Sequence, residues 1–361
     1  MALAASRTGS LFGETAVANA WIDHGNSVAH GSLAPTGGPL YALLLAPITL
    51  LTTRPSTVAS IVTVFNVIVL APLATYCLLD VGRRVAGRPF AIAAAVTWLF
   101  APLAAIPLFV PKFHDTYVDD VLPAVYGLTI GPAFLAMALS LAAAMLALRA
   151  VAGAQRAAFA AGLLAAAAIA CLPISAGIAA GVICALLAAR RWRQAGEALV
   201  GLAAGVIPTL IWRQSALGGD LVSTGNPTWD GFQASMANVR EFFYSNRLLQ
   251  WLPVAGAVGM LRVRRPAAAL TAVWVAVATV VSVATPTSFE GGRFFVELVP
   301  VWPAYALLVA AIPALVPTLV ARLGDRIRGE IDAPAVSRRS AVLLLGTVVV
   351  ITGLVTALVG S

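Results

Sequence analysis

Long, nearly charge-free apolar runs constrain this chain more than any other feature. They fall at about 57–80, 89–110, 127–149, 157–172, 174–189, 196–212, 248–261, 266–285, 298–320 and 340–359. About 20 such residues, wound as a helix, cross the hydrocarbon core of a bilayer. Lipid offers the backbone no hydrogen-bond partners, so only helices and closed barrels are stable there. These runs lack the every-other-residue alternation of barrel strands. With 60% hydrophobic and 11% charged residues and a mean hydropathy of +0.92, an ordinary soluble domain is excluded. The expected fold is all-α: one polytopic transmembrane domain over residues 1–361, with about ten membrane-spanning helices.

The basic residues alternate with the runs. Arg83, Arg84 and Arg88 form one cluster, and Arg149 with Arg156 another. Arg190, Arg191 and Arg193 form a third, Arg262, Arg264 and Arg265 a fourth, and the loop 321–339 carries Arg322 to Arg339. They occupy every second connection, as loops retained on the cytoplasmic side do, and that placement puts 16 of the 23 basic residues inside. The net charge of +8 is thereby explained by topology, and no nucleic-acid partner is expected. The expected location is a plasma membrane, as a multi-pass protein. One lysine, Lys112, beside abundant alanine and arginine suggests a GC-rich, bacterial source.

Two segments need a decision. Pro39–Leu51 is apolar but too short for a span, and a full crossing there would invert every later loop. It is expected to lie along the external surface as an interfacial helix. Pro173 separates two short runs, and a single kinked crossing would break the arginine alternation, so a tight helical hairpin is expected. The external loops are then 1–56, 111–126, 213–247 and 286–297. Residues 1–38 contain no apolar core of a signal peptide. Cys77, Cys171 and Cys184 lie within apolar runs, without metal-ligand spacing, and read as packing residues.

On this topology ten of the fifteen acidic residues fall on the external face. Glu14, Asp23, Asp115, Asp119, Asp120 and Glu290 lie there, together with Arg293 and the histidines His24, His30 and His114. The first loop runs from Gly13-Glu14 through a short helical stretch to Asp23-His24-Gly25, then to Pro35-Thr36-Gly37-Gly38-Pro39-Leu40-Tyr41. Trp229, Phe232 and Tyr244 in the loop 213–247 suit anchoring at the interface, or stacking on a sugar.

These motifs resemble the GT-C superfamily, the integral-membrane glycosyltransferases that use polyprenyl-phosphate sugars, including protein O-mannosyltransferases and lipid A aminoarabinose transferases. An acidic residue early in the first external loop, a short helix ending near glycine and a Pro-Leu-Tyr entry into an interfacial helix are similar to the family's. So are the turn Val81–Arg88, the hairpin from Gly162 through Pro173 to Arg193, and Gly292-Arg293-Phe294-Phe295 ahead of Pro300 and Pro303. The family's pattern differs in having a span before the first loop, which is not among the runs above, and commonly an Asp-Glu pair where this chain has Gly13-Glu14.

The resemblance implies transfer of a sugar from a polyprenyl-phosphate donor to a lipid or cell-envelope glycan acceptor, with the active face external. Such transfer needs a base for the acceptor hydroxyl and a cation for the departing phosphate. Glu14, Asp23 and Asp115 are the catalytic candidates. Lys112, His114, Asp119, Asp120, Arg293 and Tyr41 are the candidates for holding substrate, Arg293 being suited to phosphate by its two-pronged guanidinium. No spacing assigns a metal site; His24, His30 and His114 beside these carboxylates are the donors a divalent metal would use. Two rival classes remain: a catalytically inactive GT-C-like assembly subunit, and a transporter or flippase, which calls for ionisable residues inside the spans and helices broken at the midplane.

Overall fold

The computed structural model describes residues 15–32, 39–109, 130–216, 247–284 and 299–315, with the backbone alone for 15–17, 100–109, 213–216, 247–251 and 282–284. Among these residues the protein is all-helical. In chain order the helices are α1 (Thr15–Ala29), α2 (Pro39–Leu51), α3 (Pro55–Phe65), α4 (Ala71–Ala86), α5 (Arg88–Phe109), α6 (Ala133–Val151) and α7 (Ala157–Cys171). They are followed by α8 (Ala176–Ala188), α9 (Trp192–Ala216), α10 (Arg247–Val263), α11 (Arg265–Ala284) and α12 (Trp302–Ala311). Asn66–Leu70 forms a π-helical turn that joins α3 to α4 without a break. Among the described residues three helical stretches are long and apolar enough to cross a membrane: Pro55–Ala86, Ala133–Val151 and Trp192–Trp212.

Several helix ends differ from those read in the sequence. The first run, placed at 57–80, continues as helix to Ala86. Its last turn is polar, and Asp80 accepts hydrogen bonds from Arg84 one turn on, which supports the helix locally where apolar periodicity has stopped. The turn expected over Val81–Arg88 therefore shrinks to Gly87, whose φ of 90° ends α4 and lets α5 start at once. The run at 298–320 enters through a turn at Val299–Val301, and its helix begins at Trp302. The runs at Pro208 and Pro253 continue as unbroken helix past their prolines, whereas Pro173 opens a short 3-10 turn, Pro173–Ser175, between α7 and α8.

Close backbone approaches set the directions. Gly162 of α7 lies against Ala198 and Leu202 of α9, and Gly205 lies against Ala166, so α7 and α9 run in parallel. Gly177 meets Trp274 and Ala278 while Gly181 meets Leu270, so α8 and α11 run antiparallel. Gly256 and Gly259 of α10 meet Leu308 and Ala311 of α12, which makes that pair parallel. A methyl group at Gly162, Gly177 or Gly256 would overlap a facing carbonyl oxygen. Small residues spaced four apart bring helix backbones together in this way when packing, more than water exclusion, holds a bundle.

These directions make Pro173 the tip of a helical hairpin. α7 leaves the end of the bundle where α9 starts, and α8 returns to the end where α11 starts. Arg190 closes α8 in the left-handed region at φ 57°, and the Arg191 N–H donates to the Leu186 carbonyl at 2.9 Å. That is the usual six-to-one closure of a helix end, more often built on glycine. Gly153 closes α6 in the same way, with the Ala154 N–H donating to the Arg149 carbonyl.

α6 is the central helix. Ala136, Met137, Leu141, Ala143, Ala147 and Leu148 on it are all fully enclosed. α3, α4 and α9 form the flanks, with Ile61, Ile68, Leu199, Val200, Ile207 and Ile211 exposed along them. Cys77 and Cys171 are buried as free thiols, and Cys184 is a half-buried one.

Candidate functional site

The bundle has two unlike poles. At the first, Asp80 on α4 accepts from Arg84 Nε at 2.7 Å and from Arg149 Nε of α6 at 3.3 Å. Arg149 Nη2 also donates to the Tyr76 hydroxyl at 3.1 Å. Arg264, between α10 and α11, donates to the main-chain carbonyl of Arg84. Three arginine-bearing turns thus meet. The parallel course of α7 and α9 and the antiparallel course of α8 and α11 bring the Arg156 and Arg190–Arg193 turns to the same pole.

It follows that the opposite pole collects most of the other described helix ends, whereas α12, parallel to α10, runs back towards the arginine pole. α5, α9 and α11 run out towards it, and α3, α6, α10 and α12 start from it. The segments that join these ends contain residues 110–129, 217–246 and 285–298. α1 and α2 cover this pole and pack closely on one another, with Gly25 against Leu45 and Thr49. α2, 13 residues long and thus roughly 20 Å, does not reach the arginine pole. Its first turn is fixed beside the start of α6, and its last residue stands just before Pro55, where α3 sets out.

Tyr41 fixes this cover in place. Its side chain is buried at 2% exposure, and its hydroxyl accepts from the Gly131 N–H at 2.9 Å, just ahead of α6. Burial drives its ionisation well above the ordinary phenol range, so the hydroxyl stays neutral and can both accept and donate. The ring stands edge-to-face against Trp21 of α1 at 5.2 Å, and Trp21 in turn meets the His24 ring at 5.7 Å. Asp23, beside these rings in sequence, is exposed. His30, also exposed, lies with Nδ1 2.8 Å from the Asn26 carbonyl oxygen; a carbonyl only accepts, so Nδ1 is the donor there.

Of the residues singled out in the sequence, Asp23 and Tyr41 are described, and both stand at this pole on helices that touch. Asp23 presents a carboxylate to the exterior, whereas Tyr41 is turned inward as a packing and hydrogen-bonding residue. Glu14, Lys112, His114, Asp115, Asp119, Asp120 and Arg293 lie outside the described residues, as do the span at 340–359 and the loop 321–339. Among the described residues no group of three or more His, Cys, Asp or Glu side chains gathers as metal ligands would.

Sequence reasoning missed the Asp80 cluster. The spacing of Asp80 and Arg84 by one helical turn was visible, but the partner Arg149 is 69 residues away in sequence. No family model matches this chain, and no curated protein or solved structure matches it either. The fold and the two poles are therefore what bear on function: the described residues are all-helical and include three helices long and apolar enough to cross a membrane.

Proposed function

We propose that this protein is a multi-pass plasma-membrane glycosyltransferase of the GT-C type, of bacterial origin, with about ten spans. It transfers a sugar from a polyprenyl-phosphate donor to a lipid or cell-envelope acceptor on the external face. One observation carries the reading: the helix ends flanking every segment with a candidate catalytic or phosphate-binding residue lie at one pole, and the arginine turns lie at the other. Basic turns are retained in the cytoplasm, which makes the candidate-bearing pole external. Asp23 stands at that pole, and the sequence segments that carry Asp115, Lys112, His114 and Arg293 follow on from helix ends described there. In sequence Glu14 directly precedes α1.

The chemistry suits such a pole. A carboxylate at the headgroup level takes the proton from the acceptor hydroxyl, and an arginine holds the phosphate as it leaves. The exposed apolar flanks of α3, α4 and α9 suit contact with acyl and prenyl chains. The transporter alternative gains little support. Asp80 lies in the last quarter of the continuous 32-residue helix Pro55–Ala86 rather than at its middle, Pro208 and Pro253 leave their helices continuous, and Pro173 turns the chain at a pole.

The test uses membranes containing the full chain, with a radiolabelled polyprenyl-phosphate sugar and an envelope-lipid extract as acceptor. Transfer should fall about 10²–10⁴-fold in Glu14→Gln or Asp115→Asn, the usual loss on removing a general base. Label transfer that is absent in the wild-type protein, or unaltered in every carboxylate variant, overturns the reading.

A further inference from the structure

The arginine pole has a feature that cytoplasmic retention alone does not require. On the continuous helix α3–α4, Val69, Leu73, Tyr76, Asp80 and Arg84 succeed one another at intervals of three or four residues, so they form a single stripe along one face. Its first three members are exposed apolar or aromatic residues: Val69 at 47%, Leu73 at 38% and Tyr76 at 56%. Its last two are charged and half-buried, at 18% for the Asp80 side chain and 31% for that of Arg84. An exposed apolar track therefore leads directly into the ion cluster.

The charges in the cluster do not balance. Arg84 and Arg149 both grip Asp80, and Arg264 reaches the main chain of Arg84. Two guanidinium groups thus converge on one carboxylate, and a third is held at the adjoining main chain. Asp80 fixes two of them and neutralises one charge, while Tyr76 orients Arg149 through its hydroxyl. Arg149 keeps 31% of its side chain exposed, beside the apolar track. A guanidinium that spends two of its five N–H groups on Asp80 and Tyr76 has donors left over, and planar guanidinium pairs bind phosphate oxygens well.

We infer that the Tyr76–Asp80–Arg84–Arg149 cluster is a binding site for an anionic phospholipid: the phosphodiester meets Arg149 and Arg84, and an acyl chain lies along Tyr76, Leu73 and Val69. The inference rests on the proposed membrane insertion of α4 and α6, with the arginine pole at the cytoplasmic headgroup level. Basic pockets between helices at that level recognise phosphate headgroups, and a chain along an apolar track adds affinity that a free phosphate lacks.

The experiment uses the full-length protein in mild detergent, with phosphatidylglycerol or phosphatidylcholine of identical acyl chains titrated in and bound lipid counted by native mass spectrometry. Phosphatidylglycerol should be retained about 10-fold more tightly than phosphatidylcholine, and millimolar glycerophosphate should not displace it. Arg149→Gln and Tyr76→Ala should remove most of that preference, while Arg193→Gln, which changes an exposed arginine of the same pole, should keep it. A Leu73→Asn variant, which leaves the ion cluster intact, should weaken retention of both lipids and so guards against a cluster variant that merely unfolds. Equal retention of both lipids, or equal losses in Arg149→Gln and Arg193→Gln, overturns the site and indicates an undifferentiated basic surface. Displacement by glycerophosphate overturns the lipid and leaves a soluble phosphate. Salt and carbonate washes of cell membranes read the insertion separately: release of the protein by carbonate would sink the membrane reading, whereas retention without a lipid preference sinks this site alone.

Discussion

α6 and α9 would pass for equivalents in the sequence. Both are apolar, both are long enough to cross a membrane, and each has an arginine near the same pole. Yet 83% of the residues in the apolar window of α6 are buried, against 17% for α9. α6 is built mainly of alanine with leucine and methionine, and neighbours enclose it on all sides. α9 lays only a narrow glycine and alanine seam, Ala198–Gly201–Gly205, against α7 and turns Leu199, Val200, Ile207 and Leu210 outward. In water an outward face of that kind would be a large exposed apolar patch; in a bilayer it is an ordinary lipid-facing surface. Apolarity therefore has two meanings in one molecule: a fit to other helices in α6, and a fit to solvent in α9.

The sharpest way to break this contrast is a charge on the outer face of α9. Val200 is 63% exposed and stands midway along the helix. In lipid, Val200→Arg should cost about 2.5–3.5 kcal/mol of insertion, the usual cost of arginine at the centre of a span. It should appear as a reduced fraction inserted in a glycosylation-tagged translocation assay. The same change on a water-facing helix would fall within roughly 0.5 kcal/mol of neutral. A neutral Val200→Arg would remove lipid as the solvent of this face.

A smaller effect should come from added volume. Ala143 is fully enclosed, and Ala143→Leu should lose about 1–3 kcal/mol through overpacking, read as a lower thermal midpoint in detergent. Ala204 on α9 is exposed, and Ala204→Leu should stay within roughly 0.5 kcal/mol of wild type. Equal losses at the two positions would mean that α9 is covered by something, such as another copy of the chain.

The ion pairs of the two helices repeat the contrast. Arg149 of α6 joins a shared, half-buried carboxylate on another helix, whereas Arg193 of α9 pairs with Glu197 on its own helix, at 93% exposure of the arginine side chain. Asp80→Asn should therefore cost about 1–2 kcal/mol, since it weakens two charge-assisted hydrogen bonds that are partly screened. Glu197→Gln should leave the thermal midpoint unchanged. A midpoint that falls as far in Glu197→Gln as in Asp80→Asn would contradict the clamp assigned to Asp80.

Much of the fold was legible because bilayers impose a simple grammar. Run length, arginine alternation and Pro173 were together enough to expect the hairpin and the arginine pole. The difference between α6 and α9 was not legible, because hydropathy records the preference to leave water and says nothing of which apolar neighbour receives the residue. The overrun of α4 to Ala86 and the role of Asp80 escaped for a related reason: polar residues ended the apolar pattern, and their partner came from a distant part of the chain. At the candidate site, the placement of Asp23 and Tyr41 at one pole followed from topology. The burial of Tyr41 did not, since its partner Gly131 lies 90 residues on.

That pairing gives the mildest test, and it concerns how α6 is held. Among the described residues α6 is tied at both ends, by Arg149 at the arginine pole and by the turn at Gly131 beneath Tyr41. Removing the hydroxyl in Tyr41→Phe keeps the ring against Trp21 and leaves the Gly131 N–H without its acceptor. The loss should be about 1 kcal/mol, the net worth of one neutral hydrogen bond. Amide hydrogen exchange should rise at Gly131 and in the first turn of α6, with the turns around Arg149 unaffected. Were Tyr41→Phe instead to abolish sugar transfer while leaving stability and exchange unchanged, the hydroxyl would belong to the substrate rather than to the scaffold. Tyr41 would then be reassigned from a packing residue to a binding one.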